Sequence, residues 1–319
     1  GFPNMQRSLA RQPMPSKRPP FRLGTRASPL AMAQAHMTKA ALIAAHGWAD
    51  ADVEIVAVVT EGDRVLDRPL AEIGGKALWT KTLDAKLLAG EIDFSVHSMK
   101  DVETIRPTAI ALAAILERAD PRDRLIGAAS IAELPKGARV GTSSPRRAAQ
   151  VQRLRPDVEI VGFRGNVATR LGKLERGEAD ATLLAAAGLD RLNSPDIGIA
   201  LDPEQMLPAA SQGAVGIEAR TDDAEMRALL DAINHVPTRA AVEAERALLA
   251  ALTADCHSPV GAHAHWTSDV LTLTAELLSG DGRDHVRDTI TVDSADAPSR
   301  LARTLLERAT PELRALFGA

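Results

Sequence analysis

The feature that most constrains the fold is a repeated alternation of short apolar runs with helix-like segments. FRLGTR (21–26), VEIVAVV (53–59) and DFSVHS (93–98) indicate strands. The residues between them indicate helices, one closed by Gly47 and one near 77–89. Because VEIVAVV is apolar almost without interruption, it predicts a strand buried on both faces. This order predicts an α/β domain with a largely parallel sheet.

The alternation restarts after ERADPRDR (117–124), which we interpret as a charged, proline-containing linker. Strands predicted at 138–142, 158–163 and 179–186, with helices between them, form a second α/β unit of similar size. A further strand at 214–220 is followed by helices up to about residue 252. HAHWTS, VLTLTAEL and HVRDTITVD then alternate with period two, and SRLARTLLERA is an amphipathic helix. The end of the chain therefore predicts a small antiparallel α+β domain.

Composition excludes several classes of protein. The net charge of −4 means that a cationic site must be local, and 3% aromatic residues without Tyr disfavour a base-stacking nucleic-acid binder. No apolar run approaches the roughly 20 residues that span a membrane. The first 22 residues are basic and proline-rich without an apolar core, so we expect a disordered tail in preference to a transit peptide, and no secretory signal.

Three strand-to-helix junctions carry the same anion-binding pattern. Ser28, Ser144 and Asn166 are good N-cap residues at the start of predicted helices, and Pro29 and Pro145 occupy first helical positions. Free backbone N–H groups and the helix dipole make such a place attractive to anions.

Arginine strengthens this interpretation, because acidic residues normally favour the first helical turn. The junctions instead carry Arg26, Arg146, Arg147 and Arg164, with Arg170 one turn further along the third helix. Each junction alone is also explained by a capped helix with a solvated Arg. Three together in an acidic protein favour a ligand with several negative charges. Nucleotides are disfavoured, because neither a Walker A sequence nor a G-x-G-x-x-G after a strand is present.

The adjacent pair Lys100 and Asp101 closes the strand DFSVHS, at the edge where α/β sheets bind ligands. A fixed carboxylate there can stabilise a cationic intermediate. The alternative is an ordinary Lys-Asp surface turn.

Cys256 is the single cysteine of the chain, which excludes an internal disulfide and fits a reducing cytoplasm. It is either a buried packing residue or a chemically reactive one. Its polar turn, between Asp255 and His257, favours a thiolate that attacks an electrophile or carries a covalent group.

Metal and hydrolase chemistry have little support. Cys256, His257, His263 and His265 lack a standard zinc spacing, and the two last are expected to share one face of a strand. No G-x-S-x-G elbow is present. We expect no metal.

From about Phe21 to its end the chain resembles the porphobilinogen deaminase (hydroxymethylbilane synthase) family. The resemblance rests on ordered motifs, with Cys256 at the place of the family's covalent cofactor: GTRASPLAMAQA (24–35), GDR (62–64), RPLAEIGGKALWTK (68–81), DFSVHSMKD (93–101), VGTSSPRRAAQ (140–150), FRGNVATRL (163–171), AGLDRL (187–192) and SQGAVGIEAR (211–220).

The resemblance implies a transferase of tetrapyrrole (haem) biosynthesis. The family joins four porphobilinogen molecules head to tail with loss of ammonia, on a dipyrromethane primer held by a thioether, and releases linear hydroxymethylbilane. The implied fold has two periplasmic-binding-protein-like α/β domains and a small C-terminal α+β domain. We expect a tail at 1–20, domain 1 at 21–116 and 212–234, domain 2 at 117–211 and domain 3 at 235–319. We also expect a cytoplasmic monomer that binds neither nucleic acid nor membrane.

The resemblance also implies roles for particular residues. Asp101 is the expected catalytic residue, holding pyrrole N–H groups and stabilising the azafulvene cation left when ammonia departs. The expected cofactor-binding residues are Cys256, Lys100, Asp101, Ser28, Thr142, Ser144, Arg146, Arg147, Arg164, Gly165 and Arg170. The expected substrate-binding residues are Arg26, Ser28, Arg164, Arg170 and Arg191.

The chain departs from the family pattern at several positions. Trp79 stands for a usual Phe, Ala77 and Ser211 for usual Gly, and SSPRR for the commoner SSLRR. His257 replaces a basic Arg beside Cys256. The competing class is a non-catalytic two-lobed protein that binds a small polyanion, and it requires neither an adduct on Cys256 nor Asp101.

Overall fold

Three β-sheets organise the computed structural model of this protein, which describes residues 18–60, 77–254 and 258–317. The GDR motif, most of the motif at 68–81, and Cys256 lie outside these ranges. The strands in chain order are β1 (Phe21–Arg26), β2 (Val53–Val58), β3 (Phe94–Ser98), β4 (Ile110–Ile115), β5 (Asp123–Ile126), β6 (Arg139–Gly141), β7 (Glu159–Val161), β8 (Ala181–Ala185), β9 (Ile199–Ala200), β10 (Val215–Arg220), β11 (Val260–Thr267), β12 (Val270–Leu278) and β13 (His285–Thr291).

The α-helices alternate with these strands in the first two sheets, as the sequence predicts. They are α1 (Pro29–His46), α2 (Ala77–Leu88), α3 (Pro145–Leu154), α4 (Val167–Glu175), α5 (Ala186–Arg191), α6 (Ala224–Asp231), α7 (Val236–Leu252), α8 (Ala297–Arg308) and α9 (Pro311–Arg314). Short 3₁₀ turns occur at Asp50–Asp52, Met99–Asp101 and Ala315–Phe317. The α/β class with a smaller C-terminal sheet is confirmed.

Helix α1 shows why the chain starts and stops a helix where it does. Ser28 Oγ accepts a hydrogen bond from Ala31 N at 3.4 Å, and Pro29 follows at the first helical position. Gly47 ends the helix in the left-handed conformation (φ 66°) and its N–H donates to Ile43 O at 2.9 Å. The predicted closure at Gly47 is confirmed.

The first sheet has the order β2-β1-β3-β10-β4 and, with α1, α2 and α6, forms what we call the first lobe. β1 runs parallel to β2 and β3, whereas β10 runs antiparallel to β3 and β4. The prediction of a largely parallel sheet is confirmed for β1, β2, β3 and β4, whereas β10 returns from the second lobe and enters antiparallel between β3 and β4. Residues Leu23, Phe94 and Ile217 are fully buried in its core.

The position of β2 in the sheet contradicts the burial that the sequence predicts for it. The run VEIVAVV was predicted to be buried on both faces, but β2 lies at the edge of the sheet. Glu54 and Ala57 are exposed, and Val59 just beyond the strand is 50% exposed. The apolar run alone does not reveal that β1 is the one strand paired with β2 among the described residues.

The second sheet has the order β7-β6-β8-β5-β9 and, with α3, α4 and α5, forms the second lobe. β6 is parallel to β7 and β8, and β5 is antiparallel to β8 and β9. Val140, Val151 and Leu183 belong to its own buried core. The carboxyl ends of the parallel strands in both lobes therefore supply the loops of one cleft.

The third sheet, β11-β12-β13, is antiparallel throughout and is covered by α7 and α8. Leu248, Leu273 and Leu305 are completely buried where these elements meet. This C-terminal unit matches the predicted small antiparallel domain. His263 and His265 share one face of β11, as predicted, with ring centroids 5.5 Å apart.

Buried charges fix the two segments that cross between the lobes. Arg118 donates to both oxygens of Glu245 on α7, at 2.6 and 2.9 Å. Glu245 also accepts from the backbone N–H of Ser211 and of Ala264, at 2.6 and 2.7 Å. The predicted linker 117–124 is thus anchored, and its last residues begin β5, with Asp123 fully buried.

Candidate functional site

A cavity of about 510 Å³ lies between the two lobes, at the carboxyl ends of their parallel strands. It is lined by Arg26, Ala27, Ser28, Pro29, Leu30, Trp79, Lys100, Asp101, Arg147, Arg164, Gly165, Asn166, Val167, Ala168, Thr169, Arg170, Leu184, Ala185, Gly188 and Leu192. Among these residues five are cations and Asp101 alone is acidic. All three predicted junctions and the predicted Lys-Asp turn converge here.

The first junction brings Arg26 and Ser28 to the cavity from β1 and the start of α1. The guanidinium carbon of Arg26 lies 3.9 Å from the ring centroid of Trp79, and that of Arg164 lies 5.9 Å from it. Trp79 was not among the predicted site residues. In the sequence Trp79 stands out only as a departure from the family pattern. The neighbouring residues do not show that α2 places its ring between two arginines from different lobes.

The second junction divides its two arginines. Ser144 Oγ caps α3 by accepting from Arg147 N at 3.2 Å, and Thr142 Oγ1 accepts from Ser144 N at 3.1 Å. Arg147 lines the cavity, whereas Arg146 does not. Successive residues on a helix point about 100° apart, so the two side chains leave the first turn of α3 in different directions.

Asp123 holds both arginines from behind the cavity wall. Arg146 Nη1 donates to Asp123 Oδ2 and Arg147 Nη2 to Asp123 Oδ1, each at 2.8 Å. Burial alone would raise the pKa of Asp123, but the two guanidinium groups outweigh it and hold that pKa well below its usual range. Sequence reasoning missed Asp123 by assigning it to a linker. The available signal was the need of two adjacent buried arginines for a counter-ion.

Arg146 connects this pair to the C-terminal unit. Its Nη1 also donates to Gln150 Oε1 at 2.9 Å and to Leu207 O at 3.0 Å. Gln150 Nε2 in turn donates to Glu276 Oε2 on β12 at 2.9 Å. The side chain of Arg146 is therefore committed to the contact between the second lobe and the C-terminal unit.

The third junction presents Arg164, Gly165 and Arg170. Asn166 Oδ1 caps α4 by accepting from Thr169 N at 2.9 Å, and Arg170 Nε donates to Gly165 O at 2.9 Å. Gly165 has φ 112°, and a Cβ there would lie 2.7 Å from Thr169 Cγ2. A side chain at this position would therefore both strain the backbone and collide with the capped turn.

Burial and mutual repulsion lower the pKa values of three cations in the cavity. Burial, with Arg147 and Arg164 nearby, lowers the pKa of Arg170 to about 10. Burial, with Arg26 nearby, lowers the pKa of Arg164. Burial, followed by the charge of Arg147, lowers the pKa of Lys100 to about 8. A site in which positive charge is this concentrated favours a ligand that brings several negative charges.

The Lys100–Asp101 pair stands in the 3₁₀ turn that follows β3. Both residues line the main cavity, and they also line a smaller recess of about 60 Å³ beside Gln34 and Ser98. Asp101 thus faces the cavity from the first lobe, opposite the arginines of the second lobe.

Besides Arg146, the predicted residues Thr142, Ser144 and Arg191 do not line the cavity. Arg191, at the end of α5, donates to Gly213 O at 2.7 Å beside the returning crossover and does not line the cavity. Cys256 lies outside the described residues, shortly beyond the end of α7 at Leu252.

One cluster in the described residues has the composition of a metal site: Asp84, His97 and Glu218. The guanidinium of Arg106 bridges it, with Nη2 donating to Asp84 Oδ1 at 2.7 Å and to Glu218 Oε1 at 2.8 Å. The carboxylates of Asp84 and Glu218 thus already share a cation supplied by the protein.

No helix in the described ranges has both the length and the apolar character needed to cross a membrane.

Comparison with known proteins agrees along nearly the whole chain. The model for "Porphobilinogen deaminase, dipyromethane cofactor binding domain" matches residues 21–228, and that for "Porphobilinogen deaminase, C-terminal domain" matches residues 239–309. The porphobilinogen deaminase of Sphingopyxis alaskensis is 63% identical over 305 residues, covering 94% of this chain and 97% of that protein. That of Paracoccus denitrificans is 48% identical over 302 residues, covering 93% and 96%.

Among solved structures, the chain is similar to the periplasmic sulfonate-binding protein SsuA from Methylobacillus flagellatus. The identity is 17% and the TM-score 0.39, over 66% of this chain and 65% of that one.

Proposed function

Because this chain belongs to the porphobilinogen deaminase family, we propose that it is a transferase that joins four porphobilinogen molecules head to tail with loss of ammonia. It then releases the linear tetrapyrrole hydroxymethylbilane by hydrolysis. The observation that carries the proposal is the cavity between the lobes, in which five cations surround the single carboxylate of Asp101 among the lining residues.

The residues of the cavity fit a dipyrromethane cofactor. Such a group carries several carboxylates, and Lys100, Arg147, Arg164 and Arg170 provide matching positive charge around about 510 Å³ of space. Ser28, Thr142, Ser144 and Gly165 belong to the capped junctions whose backbone N–H groups add to the attraction. When bound, this group supplies the pyrrole carbon on which the chain grows. Its attachment through a thioether to Cys256 is part of the proposal.

Asp101 is the proposed catalytic residue. Its carboxylate accepts hydrogen bonds from pyrrole N–H groups of the substrate and lies where positive charge develops as ammonia leaves. A fixed negative charge at such a point stabilises the transition state more than the ground state. The cations around it bind the carboxylates of the substrate, so the two kinds of charge have separate tasks.

We assign the substrate carboxylates to Arg26, Ser28, Arg164 and Arg170, which line the cavity together. Arg147 is assigned to the cofactor. Arg146 supports Arg147 through their shared partner Asp123, in place of the direct ligand contact that the sequence predicts for it. Arg191 acts at the crossover, where it donates to Gly213 O.

A non-catalytic polyanion-binding protein is the weaker alternative. Cations alone serve such a protein, whereas a carboxylate among them repels the anion that it would bind. The placement of Asp101 on the cavity wall therefore favours catalysis.

We also propose the organisation that goes with this function: domain 1 at 21–116 and 212–234, domain 2 at 117–211, and domain 3 at 235–319. The three sheets, each with a core of its own, support this division. A single cysteine suits a reducing cytoplasm. We propose that the protein acts there as a monomer.

The experiment that tests the function combines turnover with intact mass. Purified protein given porphobilinogen should release ammonia and form hydroxymethylbilane, and its mass should exceed the sequence mass by one dipyrromethane. Cys256→Ala should lose the added mass, the colour with acid Ehrlich's reagent and the activity, because the thioether has no sulfur to form on. Active protein of unmodified mass would contradict the proposed attachment.

A further inference from the structure

Helix α7 reaches the turn that carries Lys100 and Asp101. Arg246 Nη1 donates to Met99 O at 3.2 Å and to Val102 O at 3.0 Å, and its Nη2 donates to Glu103 O. One guanidinium of the C-terminal unit thus holds three backbone carbonyls on either side of Asp101 in the first lobe.

Met99 O already accepts a bond from Val102 N at 3.2 Å, whereas the carbonyls of Val102 and Glu103 follow the 3₁₀ turn Met99–Asp101, and short helices leave their last carbonyls unpaired. Arginine provides several donors in a rigid fork and places positive charge at the carboxyl end of the turn. Arg246 therefore acts as a cap supplied by another part of the molecule.

Apolar packing supports the same contact. Val242, one turn before Arg246 on α7, is fully buried in a cluster with Met99, Val102 and Ala214. The buried side chains fix the distance between the turn and α7, and the guanidinium fixes the orientation of the turn.

The opposite side of the turn is fixed within the first lobe. Glu103 Oε1 accepts from Thr80 Oγ1 at 2.8 Å, and its Oε2 accepts from Arg106 Nη1 at 2.7 Å. The backbone after Asp101 is thus held by α2 and Arg106 from one side and by Arg246 from the other. Removing Arg246 leaves the apolar packing of Val242 as the contact of the turn with α7 described above.

We propose that Arg246 is a positioning residue for the reaction: it couples α7, the helix that leads toward Cys256, to the backbone that aims Asp101 into the cavity. The inference rests on the proposed function for its kinetic consequence. Its structural consequence, a turn whose backbone opens more often when the guanidinium is absent, does not depend on that function.

The first test is hydrogen exchange in the whole protein. Arg246→Ala should speed the exchange of amides in residues 99–103 by about tenfold or more, because local opening no longer breaks three hydrogen bonds. Arg239→Ala is the matched control, since Arg239 lies on the same helix and donates to Leu112 O at 2.7 Å, a carbonyl of the first lobe on β4. Unchanged exchange in Arg246→Ala, or equal change in both variants, overturns the proposal.

The second test is kinetic and uses protein carrying its cofactor. Arg246→Ala should lower kcat for ammonia release by about 10- to 100-fold, the scale for misplacing a reacting group by about 1 Å, while KM stays within about twofold. Arg246→Lys should recover part of the loss, and Arg239→Ala should match the unaltered protein. A loss that appears in KM alone contradicts a positioning role.

A double variant decides whether Arg246 acts through Asp101. In protein that already has Asp101→Asn, Arg246→Ala should reduce the remaining rate by less than about twofold, because coupled residues are not additive. Independent, multiplied losses overturn the proposal. Should Arg246→Ala fail to fold, Arg246→Lys carries the same comparisons with smaller shifts of the same sign. Protein that releases no ammonia refutes the proposed function, and the exchange measurement still decides the coupling.

Discussion

At the scale of single residues, Lys100 is the cavity cation whose charge responds to pH closest to neutrality. Burial and the neighbouring Arg147 lower its pKa to about 8. Below that pH the amine is protonated and attracts carboxylates. Above it the charge is lost, so binding weakens as pH rises.

We therefore expect the rate at which cofactor-free protein assembles its dipyrromethane from porphobilinogen to fall by up to about tenfold between about pH 7 and pH 9, relative to a Lys100→Arg variant that stays charged throughout. Intact-mass time courses of the two proteins in the same buffers measure the ratio, which removes titrations that they share. A ratio that stays constant over this range would show that the charge of Lys100 is not used in binding.

Ser211 shows how a departure from the family pattern appears in three dimensions. It has φ 69°, a conformation that glycine adopts more readily, and within the described ranges its buried hydroxyl has no hydrogen-bond partner. Its backbone N–H donates to Glu245 Oε1 at 2.6 Å. The ion pair of Glu245 with Arg118 thus holds a strained residue at the point where the chain returns to the first lobe.

At the scale of elements, α3 separates two arginines that look equivalent in sequence. Arg146 is committed to Asp123, Gln150 and Leu207 O, whereas Arg147 lines the cavity. Replacing Arg146 and replacing Arg147 should therefore have different effects on the protein.

Arg146→Leu should lower the free energy of unfolding by about 3–5 kcal/mol, the range for breaking a buried ion pair, with KM of the folded protein little changed. Arg147→Leu should also destabilise, and in addition it should weaken carboxylate binding by about 1.5–3 kcal/mol. Denaturant unfolding, cofactor content by mass and KM separate the two. Equal effects of both substitutions on cofactor content would contradict the division of roles.

Much of the element order could be predicted from sequence, because strand and helix patterns are local. The helix ends at Ser28 and Gly47, the three capped junctions and the Lys100–Asp101 turn all depend on neighbouring residues. Position within a sheet is not local: the apolar run of β2 does not show that it lies at an edge. The partners of buried charges, such as Arg118 with Glu245, are also remote in sequence. For the same reason neither Asp123 nor Arg246 could be found before the fold was known.

At the scale of the whole molecule, separate parts contribute to one cavity. The first lobe supplies Arg26, Lys100 and Asp101, and the second lobe supplies Arg147, Arg164 and Arg170. The C-terminal unit contributes through Arg246, which holds the turn of Asp101 from outside the cavity. Buried ion pairs at the crossovers fix the positions of these parts relative to one another. Catalysis in this account depends on a single negative charge placed among many positive ones.

The most direct test of this claim is single-turnover ammonia release by cofactor-loaded Asp101→Asn and Asp101→Glu, alongside their melting curves. The Asn variant keeps size and one acceptor oxygen but removes the charge, so we expect release to slow by at least about 100-fold, the scale for losing one electrostatic stabiliser. The Glu variant keeps the charge and should retain measurable activity, and both should melt close to the unaltered protein. If folded, loaded Asp101→Asn releases ammonia at the unaltered rate, Asp101 is a surface turn residue and the mechanism is wrong.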